Sequence, residues 1–110
     1  MFQIERLGLP RHELVNVANS MLVGDMNLIK GIRRICKLRF AVEDPENEVF
    51  LAIRGIESET DTYPVGRVRS NYSPEYLQLM DVEMQSYLAQ AKGDIFQACQ
   101  EIIQTFSSEA

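Results

Sequence analysis

Apolar residues recur along this chain in long helical stripes, interrupted by one stretch that keeps neither helical nor strand periodicity. The clearest stripe is C-terminal. Leu77, Met84, Ala91 and Ala98 fall seven residues apart, flanked by Leu88, Ile95, Ile102 and Phe106, which is the spacing of one buried helix face. Ser73-Pro74-Glu75 opens it with an N-cap, a proline at the first helical position and an acidic first turn. The phase passes Gly93 unbroken. One helix of about 30 residues, roughly 45 Å long, is expected, with a frayed tail over 107–110.

The N-terminal stripe runs through Leu14, Val15, Ala18, Met21 and Leu22. Gly24-Asp25 reads as a stop followed by a new N-cap. The stripe nevertheless resumes in phase at Leu28 and Ile29 and continues through Ile32, Ile35, Cys36 and Phe40. One long helix weakened at Gly24 and two shorter helices both fit. Val17, Gly24, Gly31 and Leu38 also stand seven apart, so the glycines could admit a second helix closely. Ahead of Pro10, which suits a helix start, Phe2, Ile4, Leu7 and Leu9 alternate as an extended arm would.

Between the stripes, Asp44-Pro45 marks a turn, with Pro45 placed to open a helix over Val49, Phe50, Ile53 and Ile56. Glu46 and Glu48 would then suit its first turn. A strand competes there, because VFLAIRGI is rich in branched and aromatic residues. No second strand offers a partner, so helix is favoured. The expectation is one all-α, bundle-like domain: a long N-terminal helix, a short middle helix, an irregular loop over 57–73 and a long C-terminal helix.

That loop region carries the candidate chemistry. Glu57, Glu59, Asp61, Tyr63, Arg67, Arg69, Tyr72 and Tyr76 mix both charges with interleaved aromatics and would form an interaction surface. Tyr63-Pro64-Val65-Gly66 is a turn signal, with Gly66 free to take a positive φ. Counting back by sevens from Ile102 through Ile95 and Leu88 reaches Asp81, a carboxylate where the stripe wants an aliphatic side chain. It is either a wet rim position or is held by an arginine, because an unpaired buried charge is costly. Arg69 and Arg67 are nearest in sequence, with Arg33 and Arg54 also available.

Charge and composition narrow the partners. The 110 residues carry a net charge of −5. Residues 1–42 hold seven Lys/Arg against three Asp/Glu, and residues 43–110 hold four against thirteen. Such asymmetry fits two halves that attract each other within one domain, or a polyelectrolyte partner. Lys30, Arg33, Arg34 and Lys37 share a helix face that could grip phosphates; without interleaved aromatics it reads more simply as a solvated or internally paired face. Cys36 and Cys99 sit on apolar stripes as buried thiols rather than a metal pair. Glu5 and Arg6 interrupt any leader-like apolar run, and no stretch is long and apolar enough for a membrane span. A cytoplasmic protein is therefore expected.

His12 is the only histidine, distant in sequence from the carboxylates, and no nucleophile or phosphate-loop signature appears. No cofactor is expected. Two long apolar stripes beside one short helix suggest a homodimer.

Met21-Leu22-Val23-Gly24, Phe50 with Ile53, Ser58 to Asp61, Pro64 to Arg69, and Leu77 with Asp81 and Glu83 together resemble small uncharacterised bacterial helical proteins of the immunity-protein type. The resemblance implies a non-enzymatic partner-binding protein, in its concrete form one that neutralises a basic toxin. The alternatives are a nucleic-acid-binding regulator using the Lys30/Arg33/Arg34/Lys37 face, or a carboxylate-metal enzyme using the acidic segment.

Overall fold

The computed structural model describes the backbone of residues 2–107 and the side chains of 8–107; among these, all regular structure is helical. Four α-helices follow in order: α1 (Phe2–Val23), α2 (Leu28–Ala41), α3 (Leu51–Thr60) and α4 (Pro74–Ser107). Short 3₁₀ turns occupy Glu48–Phe50 and Gly66–Asn71. The 107–110 tail begins within α4, and the rest of it lies outside the described residues.

The N-terminal stripe is two helices, and backbone hydrogen bonding explains why. At the end of α1, the Asp25 N–H donates to the Ser20 carbonyl at 2.9 Å and Gly24 N–H to the Met21 carbonyl, with Gly24 at φ +86°. This ladder ends a helix on a left-handed residue that glycine supplies at no steric cost. The next N-cap is Asn27, whose side chain accepts from the Lys30 N–H at 3.0 Å, rather than Asp25. The same ladder closes α2: Asp44 N–H donates to Arg39 O and Glu43 N–H to Phe40 O. There the left-handed residue is Glu43, φ +62°.

Three further expectations are corrected. The first residues are not an extended arm, since α1 begins at Phe2 and carries Pro10 inside it; an interior proline forfeits one hydrogen bond without ending the helix. Pro45 does not open the middle helix. Asn47 caps the 3₁₀ turn that leads into α3, its side chain accepting from Val49 N–H. The irregular stretch is shorter than 57–73, because α3 continues to Thr60 and a 3₁₀ turn fills Gly66–Asn71. Thr60 is buried and donates its hydroxyl to the Ile56 carbonyl at 2.8 Å.

The helices close a ring: α1 packs on α2 and α4, α2 on α3, and α3 back on α4. The core between them holds Leu14, Met21, Ile32, Ile35, Phe50, Ile53, Ile95 and Ile102, all fully buried. The Phe50 and Phe106 rings stack 5.6 Å apart, and the Arg11 guanidinium lies over Phe106 at 5.2 Å. Gly31 faces Met21 so closely that a Cβ there would sit 2.6 Å from Met21 Cγ, so this glycine does permit the tight α1–α2 approach. The long stripes cover each other within one chain from Met84 of α4 onward.

α4 sets the outline. At 34 residues it is roughly 51 Å long by the standard rise, matching the longest dimension of the 53 × 27 × 24 Å molecule. No residue before Met84 in α4 is buried. Its first ten residues therefore lie outside the ring.

Candidate functional site

The free end of α4 and the 3₁₀ turn beside it form the most shaped surface. Ser73 caps α4, accepting the Tyr76 N–H on its hydroxyl and the Leu77 N–H on its carbonyl. Gly66 takes φ +69° and turns the chain into the 3₁₀ segment. That segment is tied to α4 by Arg69, which donates from Nη1 to Asp81 Oδ1 at 2.9 Å and from Nη2 to Oδ2 at 2.7 Å. Arg69 Nη1 also donates to the Pro64 carbonyl at 3.1 Å. The pair is half-exposed, with about a third of each side chain open to solvent. Asp81 is thus a half-buried carboxylate held by Arg69 rather than a wet rim residue. The Arg69 hydrogen bond holds its carboxyl below the usual value, against the opposing effect of partial burial.

Arg67 is exposed and takes no part in that pair; its carbonyl accepts from the Ser70 hydroxyl. Tyr72 and Tyr76 stack with centroids 4.9 Å apart. Beside them Val68, Leu79 and Val82 are 48, 57 and 64% exposed. Leu79 and Val82 stand out of phase with the Leu77–Met84 stripe and project from its far side. An apolar residue off the core phase of a strong helix was the readable signal, and the sequence reading passed over it.

The acidic residues do not make one face. Glu57 lies beside the Cys36 thiol of α2, whereas Glu59 accepts the Tyr87 hydroxyl of α4 at 2.5 Å. Two residues apart on a helix, they point to opposite sides. The Asp61 side chain is exposed, and the carbonyls of Asp61 and Tyr63 face Arg33. Among the described residues, no three His, Cys, Asp or Glu side chains gather as a metal site.

The basic face is also divided. Arg33 turns inward and donates from Nη2 to the carbonyls of Thr60 and Tyr63 at 3.1 and 3.0 Å, a cation placed at the C-terminal end of α3 and on the turn that follows it. Arg34 pairs with Glu13 of α1. Lys30 and Lys37 are left exposed at its two ends. The pairs Arg34–Glu13, Arg54–Glu46 and Arg69–Asp81 each stay within one half of the chain, so the charge asymmetry is not resolved by those bridges; Arg33 is a link from the basic half to the acidic one.

Both cysteines are buried free thiols. Burial pushes each up to about 11, with Glu57 adding to the effect at Cys36. His12 is exposed, with no nucleophile set around it.

A trough that sequence reading did not anticipate runs beside α4. Three shallow depressions lie along it and share Gln85 in their linings, one against Pro74 and Leu77, one against Lys30 and Gly66, one against Met26 and Leu28. Compared with protein families, with curated proteins and with solved structures, the chain matches none of them.

Proposed function

We propose that this chain is a non-enzymatic protein-interaction module. The observation that carries the reading is the exposed apolar and aromatic set formed by Tyr76, Leu79 and Val82 on the part of α4 that lies outside the ring, with Val68 and Tyr72 on the 3₁₀ segment and the residue that follows it. Large apolar groups gathered on such a projecting element mark contact surfaces more often than chance, and tyrosines are favoured at them. A nucleic-acid reading is less well supported, since two of its four cations are engaged inside the fold. The narrower form, an immunity protein covering a basic toxin, calls for one acidic face. Glu57 and Glu59 lie on opposite sides of α3, so these two carboxylates do not share a face for such a partner.

The test is capture from a lysate of the native host by immobilised wild type and by a Val68→Glu/Leu79→Glu variant. Both sites are exposed, so melting temperatures should agree within a few degrees. A protein retained by wild type and lost by the variant supports the reading. Equal retention, or none by either, counts against it.

A further inference from the structure

The trough along α4 differs from the rest of the surface in both shape and charge. Its lining is mostly apolar, with Leu77, Leu88, Ala89 and Phe96 of α4 together with Met26, and Val82 at one edge; the amides of Gln78 and Gln85 stand among them. From Leu77 to Phe96 it extends roughly 28 Å at the helical rise. It is open along its length, its largest part holding about 490 Å³. An open groove of that length suits a helix lying in it better than a small molecule, which needs a cleft that encloses most of its surface.

The charge of the lining decides what kind of helix. Its charged residues are Arg69, Asp81, Lys30 and Lys92. Arg69 and Asp81 neutralise each other, which leaves two lysines and a local excess of positive charge in a chain of net −5. Lys92 lies over the Phe96 ring at 5.4 Å, so its ammonium is held at the trough rather than swung away. Two helix N-termini also border it, α4 at Pro74 and α2 at Leu28, and the C-terminal end of α1 at Met21 and Gly24 offsets one of their partial positive charges; the two lysines therefore carry the excess.

We propose that this trough is the docking site of an acidic amphipathic helix from a partner protein, apolar residues down and carboxylates toward Lys30 and Lys92. The inference rests on the interaction-module reading and deepens it by naming the partner's chemistry. Apolar anchors spaced along one face of the incoming helix meet the floor. Glutamates or aspartates on its flanks meet the lysines, which gives orientation and speeds encounter.

The experiment uses the whole chain and two synthetic helical peptides of about 20 residues, measured by fluorescence anisotropy. Both carry leucines at helical spacing; one has glutamates on its flanks and its twin has lysines. The acidic peptide should bind at least about tenfold more tightly, a difference of 1.4 kcal/mol, and the advantage should fade with added salt. Lys30→Glu/Lys92→Glu, at two exposed positions, should erase the preference while leaving thermal melting unchanged. Equal or tighter binding of the lysine peptide overturns the proposal, as does acidic binding that the double variant does not weaken. A doubled mass by light scattering, with the trough protected, also overturns it by assigning the site to a second copy. If neither peptide binds, the trough assignment fails, while the module reading still stands or falls on the Val68→Glu/Leu79→Glu capture, since neither of those residues lines the trough.

Discussion

Arg69 grips Asp81 with both of its terminal nitrogens, and one of the two also holds the carbonyl of Pro64. A single guanidinium therefore ties together α4, the turn at Pro64 and the 3₁₀ segment that carries Arg69 itself. The planar fork of arginine makes this possible, and lysine could not reproduce it. Asp81→Asn should loosen the segment without unfolding the ring, since Asp81 lies outside the core. Amide exchange over Gly66–Asn71 should accelerate while the global melt hardly moves. Because the folded carboxyl lies below its ordinary value, the tie is present above the unfolded value and is lost as pH falls through the folded one. Protection of these amides in the wild type, taken relative to the intrinsic exchange rate at each pH, should fall over that acid range, and unchanged protection in Asp81→Asn would show the tie to be idle.

Alkaline behaviour follows from three groups whose charged forms the fold disfavours. Cys36 and Cys99 rise from 9.0 to about 11. Tyr87 rises from 10.0 to about 12, through burial first and the Glu59 carboxylate second. All three are raised, so their contribution is complete below the unfolded values and drains away as pH rises through the folded ones. Urea midpoints should hold steady up to about pH 9 and fall progressively from there towards pH 12. Thiol-reactive dye at pH 8 should label neither cysteine until the chain unfolds.

Gly31 and Gly93, both inside helices, should respond in opposite directions to alanine. Gly93 is exposed with open space where a Cβ would go, so Gly93→Ala should stabilise by about 0.5–1 kcal/mol. Gly31→Ala gains the same propensity but drives a methyl into fully buried Met21, whose sulfur already lies 3.9 Å from Cys99 Sγ. Overpacking of about 1–3 kcal/mol should win. On a Met21→Ala background the Gly31→Ala loss should shrink or reverse, which a four-member set of thermal melts would show.

Ile95 is the core residue most directly implied by the C-terminal stripe, and it is fully buried. Ile95→Ala should cost about 2–5 kcal/mol in denaturant melts. A loss under about 1 kcal/mol would mean that the α4 contact with the rest of the ring is loose.

The C-terminal helix and its inward residues were legible because seven-residue spacing persists over more than four turns. Ile95, Ala98 and Ile102 could hardly face anywhere but inward. The Asp81 anomaly was legible for the same reason, since only a strong phase makes one wrong residue conspicuous. The N-terminal arm was misjudged because Phe2, Ile4, Leu7 and Leu9 also alternate, and Pro10 drew attention to a start. Leu7, Leu14 and Met21 stand seven apart and spoke for a helix running straight through. The break at Gly24 was left undecided because hydrophobic phase says nothing of a reversed chain; the decisive fact is the left-handed φ of Gly24. Glu57 and Glu59 looked like neighbours in a loop. They separated once α3 extended past them to Thr60, and Arg33 could not be foreseen as the group that finishes that helix.

The continuity of α4 gives the molecule a fulcrum. From Met84 onward the helix is clamped by buried side chains, and ahead of it three turns, roughly 15 Å, extend from that clamp with Arg69 as a stay. A rod does not bend where it is gripped, so a partner pulling on Leu79 or Tyr76 applies torque at Met84 rather than a local dent. The load passes first to the Arg69–Asp81 tie and next to the packing of α4 on α1. Breaking the tie would then change how stiffly the free end resists being moved, even where it leaves the contact surface itself intact.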